Sequence, residues 1–312
     1  MILSNNLEEA MERFETELKL RGFSDATIRT YKMQVAQFLE FVKQNKGKLS
    51  SQKSLLAPGS GAISLVNIGK KDLKAFIAHL ISDKKKAPSS INLALSALRF
   101  FFIEVNKQNI FDGVKSMKTP KKIPTVLSKD EIRRLLDAVK NPKHKLLFML
   151  LYGSGLRVGE AVNLKVDDLD LMDKTGTVRA GKGKKDRNII LSDAMIVVLN
   201  EFLLKRAEKG VESEYIFHGA TSDNEGKGQR EGHITTRQAQ RLVKQYAKKA
   251  GIKKRIFCHA LRSSFATHLL ETGTDIRVIQ ELLGHSNLAT TERYTKVSKE
   301  QIRKVRSPFD NL

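Results

Sequence analysis

Residues 259–294 read HALRSSFATHLLETGTDIRVIQELLGHSNLATTERY, and the fold and chemistry of the chain turn on this stretch. His259 and Arg262 stand three apart, so on a helix they share a face and can enter one pocket. A planar guanidinium grips two phosphate oxygens, and an adjacent imidazole moves a proton near neutral pH. Asp275–Leu283 reads as a helix closed by Gly284, and Ser286 can cap the following helix, which carries Tyr294. Tyr294 admits two readings, a core aromatic or a surface group. Arg293 and Thr295 beside it favour a mixed surface. His268 reads as a core or helix-surface histidine, and Cys258 as a small buried apolar group.

Upstream, Gly153-Ser154-Gly155-Leu156-Arg157-Val158-Gly159-Glu160 bends the chain just before an arginine that opens a helix, with Glu160 three residues on. Taken alone, such an arginine is more often solvated than functional. Residues 166–191 change period: Val166–Leu171, Thr177–Ala180 and Asn188–Leu191 read as three short strands. The turn Gly181-Lys182-Gly183-Lys184-Lys185-Asp186-Arg187 joins the last two. By itself this turn reads as a solvated basic hairpin tip. It lacks the GxxxxGK[ST] spacing of a phosphate-binding loop, so nucleotide binding is rejected. Ser128 with Glu131 forms a capping box ahead of a helix, a helix over 143–153 follows, and the pattern is helical again from 193, interrupted by a polar loop at 219–232.

The first part of the chain shows no strand signal before residue 118 and predicts four or five helices. Leu7, Met11, Phe14 and Leu18 form one apolar stripe. Ile28, Tyr31, Val35, Phe38 and Leu39 form another, on a helix capped by Ser24 or Asp25. Residues 44–66 read as a long loop. Helices resume at Lys71–Ile81 and at Ser90–Val105, the latter capped by Ser89 or Ser90 after Pro88. Two prolines and three lysines make 116–125 a stiff, extended tether between domains.

The 312 residues carry a net charge of +22, with 19 basic against 11 acidic residues in 1–118 and 37 against 23 in 119–312. Both halves are therefore basic, as in a protein that surrounds a polyanion, with affinity drawn from phosphate neutralisation and weakened by salt. A single cysteine excludes an intrachain disulfide and a cysteine-rich metal site. No apolar run approaches the roughly 20 residues of a membrane span, and the first residues do not form a signal peptide. A cytoplasmic, nucleoid-associated protein is expected.

Arg157, Lys182, the HxxR of His259 and Arg262, the GH ending in His285, and Tyr294, in this order and spacing, closely resemble the tyrosine recombinase (phage integrase) family. Within that family the resemblance is to the Xer-type site-specific recombinases, and it covers almost the whole chain. It implies a mainly α fold with a small antiparallel sheet, organised as a two-domain DNA clamp. Residues 1–117 would be a helical core-binding domain, 118–125 a linker, and 126–312 a mixed α/β catalytic domain with a C-terminal protomer-exchange tail. Ser263-Ser264 after LR, Lys296 after YT, and the long loops at 44–66 and 219–232 depart from the Xer pattern.

The resemblance assigns six catalytic residues: Arg157, Lys182, His259, Arg262, His285 and Tyr294. Arg157 and Arg262 would hold the phosphate, Tyr294 would attack it, Lys182 would protonate the leaving 5′-oxygen, His259 would accept the phenol proton, and His285 would hydrogen-bond the phosphate. Glu160 would orient the pocket from behind. Thr235, Arg237, Gln238, Arg241 and Lys244 resemble the family's groove-facing helix, while Thr27, Arg29, Tyr31 and Arg99 are DNA-contact candidates in the first domain. The implied reaction forms a 3′-phosphotyrosine and a Holliday junction with no metal, nucleotide or other cofactor. Its implied partners are double-stranded DNA at a near-palindromic site, three further copies of the chain on two duplexes docked through residues 299–312, and an accessory activator. Chromosome dimer resolution and mobile-element integration both fit. A type IB topoisomerase would use a similar pocket to relax supercoils, and a non-catalytic DNA-binding protein would keep the charge without the pocket.

Overall fold

The computed structural model describes residues 7–50, 65–120, 124–179, 186–219, 232–285 and 287–295, without the side chains of 46–50, 66 and 295. The chain divides into two compact units, Met1–Lys121 and Lys122–Leu312. No helix among the described residues is long and apolar enough to cross a membrane.

The first unit is helical throughout its described residues: α1 (Leu7–Leu20), α2 (Asp25–Ser50), α3 (Lys70–Ser82) and α4 (Pro88–Arg99). Ser24 caps α2, its Oγ accepting from Thr27 N at 3.3 Å. Of the two predicted stripes, Phe14 and Leu18 from α1 and Ile28, Val35, Phe38 and Leu39 from α2 are buried, while Leu7, Met11 and Tyr31 are partly so; α3 adds Leu73, Phe76 and Leu80. Two expectations are corrected. Residues 44–50 continue α2 and are not loop, because extending an existing helix fixes one residue per hydrogen bond gained and tolerates a single glycine at about 1 kcal/mol. The fourth helix starts at Pro88 with Ala87 as its cap, not at Ser89 or Ser90. Proline suits the first helical position, where its missing N–H is not needed. Beyond α4 the backbone widens into a π-turn over Phe100–Val105. The extra residue per turn lets the consecutive Phe101 and Phe102 both bury fully, edge-on to one another at 5.0 Å.

The second unit comprises α5 (Lys129–Asp137), α6 (Pro142–Gly153), α7 (Val158–Val162), β1 (Leu169–Asp170), β2 (Thr175–Val178), β3 (Arg187–Ile190), α8 (Asp193–Glu208), α9 (Thr236–Lys249), α10 (Cys258–Glu271), α11 (Ile276–Leu283) and α12 (Leu288–Thr295). The capping box of α5 is present, with Ser128 N donating to Glu131 Oε2 at 2.8 Å and Glu131 N to Ser128 Oγ at 3.2 Å. The three strands form one antiparallel sheet in order β1-β2-β3, with Val178 opposite Arg187. The expected first strand is shorter than its apolar pattern: Val166–Asp168 is a 3₁₀ turn, closed by Lys165 N donating to Asp168 Oδ2 at 3.0 Å. The other two strands each begin earlier than expected, at Thr175 and at Arg187, which is thus a strand residue and not part of the turn.

Helix α10 is the axis of this unit. Every residue from Ala260 to His268 is buried, including Arg262 at 0% exposure. A helix apolar on one face alone would lie at a surface. This one carries small or hydrogen-bonded polar residues on its remaining faces, which lets neighbours approach from all sides. Ser264, one of the two departures after LR, accepts from Leu127 N at 2.9 Å and donates to Ala260 O, so it ties the segment entering α5 to α10. Ser264→Ala would leave the buried Leu127 N–H unsatisfied and is expected to lower unfolding free energy by about 1–3 kcal/mol, read by urea denaturation. Unchanged stability would mean that this tie contributes nothing.

Candidate active site

Two glycines in the left-handed region shape the pocket floor. Gly155 has φ +60°, and a Cβ there would lie 2.4 Å from Phe265 Cδ1, while its carbonyl receives Arg262 Nη1 at 2.7 Å. Gly284, with φ +59°, ends α11, and its carbonyl receives Arg157 Nη2 at 3.2 Å. A Cβ on Gly284 would meet Arg187 Cδ at 2.7 Å. Each backbone turn thus brings an arginine head group close to a carbonyl.

One carboxylate gathers three guanidinium groups. Glu160 Oε1 accepts from Arg157 Nη1 at 2.7 Å and Arg187 Nη1 at 2.9 Å. Oε2 accepts from Arg157 N and Arg187 Nη2, both at 2.7 Å. Arg262 Nη1 stands 3.8 Å from Oε2. Arg157 caps α7 and Glu160 is its third residue, so the local sequence sets this pair. Arg187 comes from the first position of β3 and also donates from Nε to Leu282 O at 2.9 Å, joining the sheet to the last turn of α11.

His285 links this cluster to the tyrosine. Its Nε2 accepts from Arg262 Nη2 at 3.2 Å, and its Nδ1–H donates to Thr291 Oγ1 at 2.9 Å, which fixes a neutral tautomer. The His285 ring stacks on that of Tyr294, centroids 6.3 Å apart and planes 19° from parallel. Arg262 Nη2 also donates to Leu283 O, and Arg262 Nε has no hydrogen-bond partner. His259, His285, Tyr294, Arg293, Phe257 and Lys244 line a cleft of about 660 Å³.

The charges explain the titration behaviour. Burial raises the Glu160 carboxyl, but the hydrogen bonds and charge of Arg187, followed by the backbone and side-chain hydrogen bonds of Arg157, outweigh it and hold the group at about 2. Burial and the neighbouring Arg157 lower Arg262 to about 9, so it remains protonated at neutral pH. Burial, then Arg262 and Arg157, press His285 down to about 4. His259 is exposed at the cleft, yet partial desolvation of its ring and the charges of Arg262, Arg157 and Arg293 lower it too. Three guanidiniums against one carboxylate leave two positive charges in excess. The pocket is built for an anion.

Of the six residues singled out in the sequence, five converge here: Arg157, His259, Arg262, His285 and Tyr294. Lys182 lies outside the described residues. Tyr294 is 4% exposed, which corrects the expected mixed surface: α12 turns Thr291 and Tyr294 inward, three residues apart, and leaves Glu292 and Arg293 outside. His268 is a buried histidine whose Nδ1 pairs with Tyr152 Oη at 2.9 Å. Sequence reasoning missed Arg187 as a pocket residue, and its signal was hidden because it ends a run of basic residues that reads as a solvated tip. Among the DNA-contact candidates, Arg237, Arg241 and Lys244 lie exposed along one face of α9, and Lys244 reaches the cleft. Gln238 Oε1 is taken by Thr235 N at 2.7 Å in a capping box, leaving its amide N–H groups. In the first unit Arg29 is exposed. Arg99 is partly engaged at home, donating to Val114 O at 2.8 Å and covering Phe111. Among the described residues no group of His, Cys, Asp and Glu is placed to hold a metal ion.

Comparisons with known proteins follow the same division. The phage integrase family matches residues 125–301, and the phage integrase N-terminal SAM-like domain matches residues 10–112. Tyrosine recombinase XerA from Thermococcus kodakarensis is 39% identical over 300 residues, spanning 95% of this chain and 93% of that protein. A crystal structure of XerH site-specific recombinase bound to difH substrate, a pre-cleavage complex, superposes with TM-score 0.65 at 26% identity, over 91% of this chain and 81% of that one. A lambda integrase tetramer bound to a Holliday junction shares the fold, with TM-score 0.68 at 19% identity over 97% of this chain and 79% of that one.

The low Glu160 value predicts a pH dependence. A carboxyl near 4.5 when unfolded and about 2 when folded stabilises the protein above about 4.5, and that contribution fades as pH falls towards about 2. Glu160→Gln removes it. The stability gap between wild type and this variant is expected to contain a titrating part on the order of 3 kcal/mol at neutral pH that shrinks below about 4.5, read by urea denaturation at stepped pH. A gap that stays flat through that range would contradict the ion cluster.

Proposed function

The chain belongs to the phage integrase family, and from that premise we propose how its own groups cut and rejoin DNA. It is a site-specific tyrosine recombinase of Xer type. Tyr294 is the nucleophile: its phenol oxygen attacks the scissile phosphorus while its proton passes to His259, and the bond from phosphorus to the 5′-oxygen breaks. Lys182 protonates that oxygen, leaving a 3′-phosphotyrosine and a free 5′-hydroxyl. Arg157 and Arg262 hold the non-bridging oxygens, and His285, protonated once the phosphate is bound, donates to them from Nε2 in place of accepting from Arg262.

The observation that carries this reading is the joining of Arg157, Arg262 and His285 through shared partners in a pocket with two positive charges in excess, with His285 stacked on Tyr294. A phosphodiester carries one negative charge, and adding a phenolate to it makes a pentavalent dianion. The excess in the pocket matches the dianion better than the ground state, which is what accelerates a reaction. A bound phosphate would also offset the field that keeps His285 neutral, while desolvation still favours the neutral His259 that accepts the phenol proton. The phosphotyrosyl bond retains the energy of the phosphodiester it replaces, so attack by a 5′-hydroxyl can rejoin strands without ATP.

The same reading gives residues 1–117 as the core-binding domain, 118–125 as the tether and 126–312 as the catalytic domain. Arg237, Gln238, Arg241 and Lys244 on α9 read the groove, with Arg29 and Arg99 as contacts from the first domain. Four copies act on two duplexes, each lending its tail at 299–312 to a neighbour, and exchange strands through a Holliday junction at a near-palindromic site. Such strand exchange, at the nucleoid in the cytoplasm, serves either chromosome dimer resolution or mobile-element integration, with an accessory activator where the exchange requires one.

A nicked suicide duplex bearing the site tests the chemistry. Wild type is expected to form a denaturant-stable protein–DNA adduct, Tyr294→Phe to form none, and EDTA to change nothing. An adduct that persists in Tyr294→Phe refutes the nucleophile. Supercoil relaxation without any product joining two DNAs would identify a topoisomerase instead.

A further inference from the structure

A carboxylate offers about four acceptor positions. In Glu160 all four are filled, two by Arg157 and two by Arg187. Both partners are enclosed, with side-chain exposures of 9% for Glu160 and 6% for Arg187. Arg262 is the third guanidinium beside this carboxylate. At 3.8 Å its Nη1 feels the charge but is too far for a hydrogen bond. It donates instead to Gly155 O, Leu283 O and His285, and its Nε donates to nothing.

Consider the pocket without the Arg187 head group. Two acceptor positions open on a buried carboxylate, and a fully buried guanidinium stands about an ångström beyond bonding distance. Attraction between such charges is strong where water is excluded. Arg262 closes on Glu160, and the two positive charges in excess fall to one. A shift of about 1 Å in a phosphate-holding group is enough to slow a reaction by about 100-fold.

We propose that Arg187 is a positioning residue that saturates Glu160 and thereby keeps Arg262 and the outer donors of Arg157 available to the scissile phosphate, while its Nε bond to Leu282 O holds the last turn of α11 ahead of His285. Arg187 itself does not touch the reacting atoms. It acts by occupying a competitor. The inference rests on the assignment of Arg157 and Arg262 as phosphate-holding groups, and it adds a residue to which the six-residue catalytic set gives no role.

A charge series separates this role from simple scaffolding. Arg187→Met keeps most of the bulk and leaves one excess positive charge. Glu160→Gln added to it removes the competing carboxylate and restores two. Single-turnover adduct formation on the nicked duplex, at saturating DNA, is expected to slow by about 100-fold in Arg187→Met, with DNA affinity in a gel shift changed by less than about threefold. The Arg187→Met/Glu160→Gln double variant is expected to recover at least about tenfold of that rate. A scaffolding role predicts the opposite order, because the double variant loses a further set of hydrogen bonds. A double variant no faster than Arg187→Met therefore overturns the proposal.

If Arg187→Met loses its helical circular dichroism, Arg187→Lys takes its place. Lysine keeps the charge but lacks the fork that fills both oxygens, and the rate is expected to fall by about tenfold. Arg187→Lys cleaving at the wild-type rate would also overturn the proposal. Wild type and Tyr294→Phe run alongside. Failure of wild type to form an adduct would count against the functional assignment, whereas a normal wild type with an unrescued double variant counts against the role of Arg187 alone.

Discussion

The catalytic unit is organised around one buried carboxylate. Glu160 receives four hydrogen bonds from Arg157 and Arg187 and draws Arg262 to 3.8 Å, so three elements distant in sequence meet at one group. Removing water from three guanidiniums is expensive, and one carboxylate cannot repay it in full. A pocket left with two uncompensated positive charges is a poor design for stability alone. It is a good one for a site that must bind an anion whose charge grows during reaction.

That electrostatic tension is contained by the backbone around it. Arg262 is fully buried because α10 is packed on every side, and it survives there by donating to the carbonyls of Gly155 and Leu283 and to His285. Gly155 and Gly284 supply left-handed turns whose carbonyls face the arginines, and neither position has room for a Cβ. The stiffness of the pocket therefore comes from close packing and from charge together. Weakening either one moves the same side chains.

The histidines report on the same field. His285 is held near 4 and His259 is also lowered, both by positive neighbours as well as by desolvation. Both rings are therefore held towards the neutral form. The broader basicity of the chain is spread over both units, as suits long-range attraction of a DNA duplex.

Much of this is legible in the residues alone. Local rules set the capping box at Ser128, the glycine ending α11 and the amphipathic stripes of α1 and α2, since each depends on neighbours within a few helical turns; the same rules also account for the capping box at Thr235 and the pairing of Arg157 with Glu160, which were not read from the sequence. The joint spacing of Arg157, His259, Arg262, His285 and Tyr294 also marked a phosphate-handling enzyme of this family. What the sequence could not reveal depends on contacts across long separations. The inward face of Tyr294 is set by how α12 lies on α10 and α11. The extension of α2 past residue 44 is set by the hydrogen bonds an existing helix gains as it lengthens. Arg187 looked like the end of a solvated run because its partner is 27 residues away, at the far side of a turn. Helical and strand periods fix which side chains share a face, but only the packed tertiary structure decides which faces meet around one carboxylate.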